Sequence, residues 1–219
     1  MDETNITQLI NDLKNGNDEE RRYAAEDLGD SGNEEAIYPL VEALNDKSVA
    51  VQEAAVDALI SIGGEKVCQA VTPLLDSDNA KIRNLAREVF EGLGEVAVSC
   101  CLRLYESNSH DLRKIAVDTL GKIENPKENK VFDTIIKALD DSHINVVQAA
   151  CEALGKIGRE EAIEHLVKHI GIHPWVDSTI FLSLGKIGSY EAKQALKSVD
   201  SGKLSPEAEY ALKVALEMV

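Results

Sequence analysis

The sequence predicts an all-α solenoid of about seven helical hairpins, and two observations lead to this fold class. A phrase of the form leucine, two residues, apolar residue, glycine returns with variations, and its leading residues lie 31, 31, 30, 34, 30 and 32 residues apart. Each interval contains two stretches with the i, i+3, i+4, i+7 apolar spacing of a helix face, separated by a short polar turn. Such a hairpin cannot bury its apolar face alone, so neighbouring hairpins must stack.

The leading residue of each phrase, here called the anchor, sets the register of the repeat. The anchors are Leu28, Leu59, Phe90, Leu120, Leu154, Leu184 and Leu216. They predict one continuous domain over 1–219, with repeats at about 3–32, 33–63, 64–94, 95–124, 125–158, 159–188 and 189–219. In the second repeat, the polar turn at 45–48 separates the two helices, and Gly63 stands where a helix ends in a left-handed glycine.

Small residues recur at a fixed position in the second helix of each hairpin. Alanine stands four residues before the anchor in the first five repeats, at Ala24, Ala55, Ala86, Ala116 and Ala150. The sixth and seventh repeats depart from this pattern with Ile180 and Leu212. We expect these alanines to allow close approach between helices.

The repeat resembles a known family. The pattern apolar-Arg-x-x-Ala is found at 82–86 and 112–116, and the phrase Leu-Gly-x-Ile-Gly is complete at 154–158 and 184–188. Together they are similar to the HEAT-like repeats of the phycobilisome lyase type. The resemblance implies a right-handed α-α superhelix whose second helices line the concave face. Its arginine is kept as Arg21, Arg83 and Arg113 and is replaced by Gln52, Val147, Asp177 and Glu209, so a continuous arginine ladder is not expected.

The resemblance implies several functions, because the family includes protein-binding scaffolds, bilin lyase subunits, a di-iron hydroxylase and DNA glycosylases. The hydroxylase needs His-Glu dipeptides, and this sequence contains none. The glycosylases need a basic groove for phosphates, which a net charge of −16 opposes. The sequence also has no glycine-rich phosphate loop and no Gly-x-Ser-x-Gly motif. A bilin lyase-like or chaperone-like subunit, acting on a prosthetic group of a partner, stays open as the alternative to a scaffold.

Composition restricts the partners and the compartment. The 219 residues include 23 Lys and Arg against 39 Asp and Glu, and residues 1–109 alone carry a net charge of −13. Such a chain repels nucleic acid and anionic membrane surfaces. No apolar run reaches the length of a membrane span, and the first residues are acidic, unlike a signal peptide. We therefore expect a cytoplasmic protein whose cysteines, at 68, 100, 101 and 151, are reduced and mostly buried.

Three histidines are weak candidates for a metal site. His165, His169 and His173 are spaced i, i+4, i+8, and the first two share a helix face, a spacing found in zinc sites. Glu161 lies one turn earlier as a fourth candidate ligand. The alternative is a solvated helix face, because the apolar stripe of this helix avoids the histidines. We expect no resident cofactor.

An acidic row is predicted on the second helices. An acid stands two residues before the anchor in five consecutive repeats, at Glu26, Asp57, Glu88, Asp118 and Glu152. Stacking would align these side chains as an acidic stripe for a basic partner surface. The alternative is that an acidic protein fills exposed helix positions with Asp and Glu without functional purpose.

The same position is apolar in the last two repeats, at Leu182 and Val214. Trp175, the only tryptophan, lies seven residues before Leu182 and is expected on the same helix face; Tyr210 lies four residues before Val214. Trp and Tyr are enriched among the residues that dominate protein interfaces. The sequence leaves two interpretations open, an exposed interaction patch and local burial caused by the altered turns of these repeats.

Together these observations predict a non-enzymatic module that binds a protein partner on its concave face. The partner would be steered by the acidic stripe and anchored near Trp175, Leu182 and Tyr210. The last helix, 206–219, is rather apolar for a terminal repeat, which favours a homodimer through that end.

Overall fold

The computed structural model describes residues 3–123 and 129–219. The expected boundary between the fourth and fifth repeats, at residues 124 and 125, lies outside these ranges. The described residues form fourteen α-helices joined by turns and short 3-10 helices, and they contain no strand. The all-α fold class predicted from the repeat is therefore confirmed.

The chain divides into two compact units, unit 1 (Met1–Cys100) and unit 2 (Cys101–Val219). Unit 1 contains three hairpins, formed in order by α1 (Glu3–Asn15) and α2 (Asp18–Ser31), α3 (Ile37–Ala43) and α4 (Val49–Ile62), and α5 (Gly64–Val71) and α6 (Ala80–Gly92). The next helix, α7 (Val98–Leu104), runs across the division.

Unit 2 continues the same alternation of first and second helices. Its helices after α7 are α8 (His110–Leu120), α9 (Asn129–Lys137), α10 (Ile144–Ile157), α11 (Ala162–Lys168), α12 (Asp177–Ile187), α13 (Tyr190–Lys197) and α14 (Pro206–Met218). The second helices are therefore α8, α10, α12 and α14, and each carries one anchor. The anchors Leu120, Leu154 and Leu184 are fully buried.

The helix ends follow local capping rules. Asn17 and Glu20 form a capping box at the start of α2, in which Asn17 Oδ1 accepts from the Glu20 backbone N–H at 3.1 Å and Glu20 Oε2 accepts from the Asn17 N–H at 2.7 Å. Gly158 and Gly188 end α10 and α12 in the left-handed conformation, at φ 71° and 69°. Gly63 also has a positive φ, but its ψ of −161° places it outside that conformation.

Within each unit, successive second helices pack directly against one another, and glycine makes this packing tight. The glycine directly after an anchor faces the residue directly before the anchor of the next hairpin. A Cβ on Gly29 would lie 2.6 Å from Ala58 Cα, and a Cβ on Gly155 would lie 2.8 Å from Ser183 Cα. The alanines four residues before the anchors are buried, as expected for contact positions. The structure thus shows a second set of small contact residues, which the alanine pattern alone did not reveal.

A second recurring contact ties five of the second helices, α2, α4, α6, α8 and α12, to their own turns. Seven residues before the anchor, Arg21 Nη1 donates to the Gly16 carbonyl at 2.9 Å, and Arg113 Nη1 donates to the Ser107 carbonyl at 3.0 Å. Arg83 makes the equivalent bond to its own turn. Two of the four replacements preserve this link, because Gln52 Nε2 donates to the Asp46 carbonyl and Asp177 Oδ1 accepts from the Gly171 N–H.

Two of these arginines also bind the next hairpin. Arg21 forms a bidentate ion pair with Asp46, with both N···O distances 2.8 Å. Arg113 binds Asp141 in the same way at 2.7 and 2.8 Å. All four side chains are at most 14% exposed. The arginine position of the repeat is therefore a structural contact within and between hairpins.

The ion pairs determine the protonation of both aspartates. Hydrogen bonds from Arg113 hold the pKa of Asp141 below its ordinary value, while burial opposes them. Burial is the largest influence on Asp46 and acts to raise its pKa, but the hydrogen bonds from Arg21 and the Ser48 N–H outweigh it and lower the pKa. Both carboxylates are therefore charged at neutral pH.

We expect Gly155→Ala to lower the free energy of unfolding. Alanine gains up to about 1 kcal/mol of helix propensity, but the added Cβ meets Ser183, and overpacking costs about 1–3 kcal/mol. Combining it with Ser183→Gly removes two of the three crowded atoms, so the double variant should be more stable than the sum of the single effects by at least about 0.5 kcal/mol. Urea unfolding followed by circular dichroism measures this cycle. If the stability effects of the two single variants simply add in the double variant, the proposed contact between Gly155 and Ser183 is contradicted.

We expect Asp141→Asn to destabilise unit 2 by about 1–3 kcal/mol at pH 7, because a mostly buried guanidinium loses its carboxylate. A carboxyl with a lowered folded-state pKa stabilises the protein above its unfolded-state pKa, and this contribution disappears as pH falls through the folded-state value. The difference in melting temperature between wild type and variant should therefore narrow below about pH 4. Glu106→Gln, which removes an exposed partner of Lys137, is the control and should change the melting temperature little.

Candidate functional site

The acidic positions of unit 1 lie on the exposed side of its second helices. Glu26 on α2, Asp57 on α4 and Glu88 on α6 are all exposed. Since these helices stack, the three side chains belong to one acidic surface of this unit, as the repeat spacing predicts.

Their charges are not equally compensated. Arg22, one turn before Glu26, forms an ion pair with it. Asp57 instead follows the exposed Glu53 by one turn, and within the described ranges neither these two acids nor Glu88 has a basic partner. The uncompensated negative charge of the acidic surface is therefore concentrated on α4 and α6.

The two acidic positions of unit 2 are less exposed and better compensated. Asp118 is half-buried and binds Lys114 at 2.5 Å. Glu152 is also half-buried, and its Oε1 accepts from Gln148 Nε2 at 3.1 Å. Unit 2 thus presents a weaker acidic surface, which agrees with the net charge of −3 over residues 110–219.

The candidate aromatic anchor, Trp175, is 88% exposed. The expectation that it shares a helix face with Leu182 is wrong, because α12 begins at Asp177 and Trp175 lies in the turn before it. Pro174 fixes the backbone there, and the Val176 N–H donates to the His173 carbonyl at 2.8 Å.

The other two apolar candidates differ from each other in solvent exposure. Tyr210 on α14 is 71% exposed. Leu182 on α12 is half-buried and offers only part of its side chain. The exposed apolar surface of these repeats is therefore mainly aromatic.

The structure does not bring the three candidate metal-ligating histidines together with further ligands into a metal-binding cluster within the described residues. His169 Nδ1 lies 2.7 Å from the His165 carbonyl oxygen, and its Nε2 lies 3.2 Å from Asp140 Oδ1. His173 is in the turn after α11. Across residues 3–123 and 129–219, no group of three or more His, Cys, Asp or Glu side chains is arranged to hold a metal ion. The geometry gives the metal hypothesis no support.

The four cysteines are all buried. Burial raises the pKa of Cys151 to about 12, and the charges of Glu152 and Asp177 act in the same direction. This thiol is therefore protonated at neutral pH and is a poor nucleophile.

A polar cavity of about 400 Å³ lies beside the turns before α8 and α10 and was not predicted. His110 and His143 stack on its wall, with ring centroids 3.5 Å apart and planes 5° from parallel. Arg113 and Asp141 also line it, but they bind each other. His110 is the first residue of α8 and His143 is the N-cap of α10, so the two rings stand at the starts of successive second helices.

No helix in the described part of the chain has the length and apolar character needed to cross a membrane.

Comparison with known proteins identifies the repeat. A family model for HEAT repeats matches residues 6–91 and 100–172. Phycocyanobilin lyase subunit alpha from Picosynechococcus sp. is 25% identical over 186 residues, covering 77% of this chain and 69% of that protein.

Solved structures agree at the level of the fold. A chain from the complex of CpcE and CpcF of phycocyanin lyase from Nostoc sp. has a TM-score of 0.52 at 16% identity, covering 69% of this chain and 99% of that one. The E. coli protein YibA has a TM-score of 0.51 at 16% identity, covering 97% and 80%. Since the HEAT-repeat model matches more than half of the sequence, the chain belongs to the HEAT-repeat family.

Proposed function

We propose that this protein is a non-enzymatic scaffold that binds a partner protein through the exposed positions of its second helices and the turn that carries Trp175. The observation that carries this proposal is the exposure of Trp175, at 88% of its surface. Burying the large apolar surface of an indole would contribute favourable free energy, which an exposed tryptophan does not gain. Tryptophan is also strongly enriched among the hot-spot residues of protein interfaces.

The turn around Trp175 supports a binding role because it is fixed before any partner arrives. Asp177 accepts a hydrogen bond from the Gly171 N–H at 2.9 Å, across the turn. Val176, next to the tryptophan, is 1% exposed and holds the backbone in the core. A preorganised anchor loses less conformational entropy on binding than a flexible one.

The acidic surface of unit 1 supports a partner with a basic region. Glu53, Asp57 and Glu88 present negative charge that the described residues of this unit do not neutralise. Such a surface accelerates association with a positively charged partner and loses this effect at high salt. We therefore assign steering to unit 1 and anchoring to Trp175 and Tyr210 in unit 2.

The absence of an activated group in the described residues favours a scaffold over an enzyme. The cysteines are buried, and Cys151 is held protonated. No described cluster of metal-ligating side chains is present to generate a nucleophile.

We expect Trp175→Ala to weaken capture of the partner by about tenfold or more, and Asp57→Asn to weaken it by less than about threefold. Both values are measured by capturing the partner from native lysate on the immobilised protein and quantifying the amount captured. Tyr38→Ala is the matched control, because Tyr38 is 70% exposed but lies on a first helix in unit 1. Unchanged capture by Trp175→Ala, together with a lower melting temperature, would show that Trp175 serves stability and would overturn the anchor.

A second candidate function is a bilin lyase-like or chaperone-like subunit acting on the prosthetic group of a partner. It is favoured by the 25% identity to phycocyanobilin lyase subunit alpha, which extends over 69% of that protein. Titrating the purified protein with phycocyanobilin separates the two candidates. The scaffold predicts no saturable change in the visible absorbance of the bilin, whereas a saturable change would favour the lyase-like function.

A further inference from the structure

The turn of the first hairpin contains a chemically labile pair of residues. Asn15 is followed by Gly16, and the sequence contains no other Asn-Gly pair. Asn15 ends α1, and its side chain is exposed. Asparagine before glycine is the pair most prone to spontaneous deamidation, because glycine has no side chain to hinder attack of its backbone nitrogen on the preceding side-chain amide.

The native turn keeps the reacting nitrogen away from this amide. Asn15 is helical, and in a helix the next backbone N–H points along the axis toward the carbonyl four residues earlier. The Gly16 N–H accordingly donates to the Asp12 carbonyl at 2.9 Å. The Asn15 amide is also engaged, because its Nδ2 donates to Asn11 Oδ1 at 2.9 Å. Gly16 N must give up its hydrogen bond before it can approach Asn15 Cγ.

Arg21 holds the other side of the same glycine. Its Nη1 donates to the Gly16 carbonyl at 2.9 Å, and its Nε and Nη2 bind the two carboxylate oxygens of Asp46 in the next hairpin. Water competes little for these bonds, because Arg21 is 6% exposed. Both the N–H and the carbonyl of Gly16 are therefore fixed while the ion pair between the first two hairpins is closed.

The closed turn has no room for a longer backbone. A Cβ added to Gly16 would lie 2.7 Å from both the Asp12 carbonyl oxygen and Glu20 Cβ. Glu20 is itself held in the capping box with Asn17. An isoaspartate at position 15 would insert one more carbon atom into the backbone directly before Gly16, so the turn could not close again in the same geometry.

We propose that Asn15 is a site of spontaneous deamidation that the ion pair between Arg21 and Asp46 protects. When the turn opens, Gly16 N forms a bond to Asn15 Cγ, the Cγ–Nδ2 bond breaks, and the amide nitrogen leaves as ammonia with the proton from Gly16 N. Water then opens the resulting succinimide at either carbonyl and yields aspartate or isoaspartate. The net reaction consumes water and releases ammonia, and it needs no oxidant or cofactor.

The test follows the peptide that contains Asn15 by mass spectrometry while the full chain is incubated at mildly alkaline pH. The reaction should be slow in the folded wild type and about tenfold or more faster in guanidinium, where the turn is open. Asp46→Asn should accelerate it in the folded protein by about fivefold or more, because Arg21 loses its carboxylate partner. Asp141→Asn is the matched control, because it breaks the equivalent ion pair in unit 2 and should leave the rate at Asn15 unchanged.

A second variant keeps the test decisive if Asp46→Asn does not fold. Asn17→Ala removes the cap beside the turn at a smaller cost in stability and should accelerate the reaction by about twofold or more. An unchanged rate in this variant would overturn the proposal.

The proposal is also overturned if the folded wild type reacts at Asn15 as fast as the unfolded chain, or if the unfolded chain does not react there. Equal acceleration by Asp141→Asn and Asp46→Asn would overturn it as well, since opening of the whole protein, and not of this turn, would then control the reaction.

Discussion

The close contact between successive second helices is the constraint on which the rest of the structure depends. At four of these contacts a glycine lies directly after one anchor and a small residue lies directly before the next, as at Gly155 and Ser183. This contact buries one side of each second helix and leaves the opposite side in water. Asp57 and Lys156 are exposed because each lies two residues from a fully buried anchor, on the opposite side of its helix. Packing in this protein thus decides which charges a partner can reach.

The order of helices could be predicted from the sequence because it depends on local periodicity and on polar turns. The close contact between successive second helices could not be assigned from the alanine pattern. A buried alanine can pack against core side chains or lie where two helix backbones approach each other, and the sequence does not distinguish the two. Likewise, the repeated position of Arg21 and Arg113 was visible in the sequence, but one partner of each is a backbone carbonyl, a group that every residue possesses. When a side chain binds a backbone carbonyl, the residue type of the partner does not reveal the contact.

The candidate site was partly predictable for a similar reason. Helical spacing identified which acids would face solvent, and the identity of the residue one turn earlier could have separated the compensated Glu26 from the uncompensated Asp57. The position of Trp175 depended instead on where α12 begins, which a proline-containing turn decides through tertiary hydrogen bonds such as that between Gly171 and Asp177. Helical spacing predicts which residues share a face only for residues that lie within the helix.

The ion pairs between hairpins have a consequence for how each unit opens. In unit 1, the first two hairpins are joined by Arg21 and Asp46, whereas the next interface has Gln52 at that position and lacks a buried ion pair among its described residues. In unit 2, Arg113 and Asp141 join α8 to the turn before α10, and Val147 takes the arginine position in the following hairpin. Repeat proteins unfold through neighbour interfaces of unequal strength. Amide hydrogens near the interfaces without an ion pair should therefore exchange with solvent before those near Arg21 and Arg113, so that each unit separates into smaller cooperative blocks along its length.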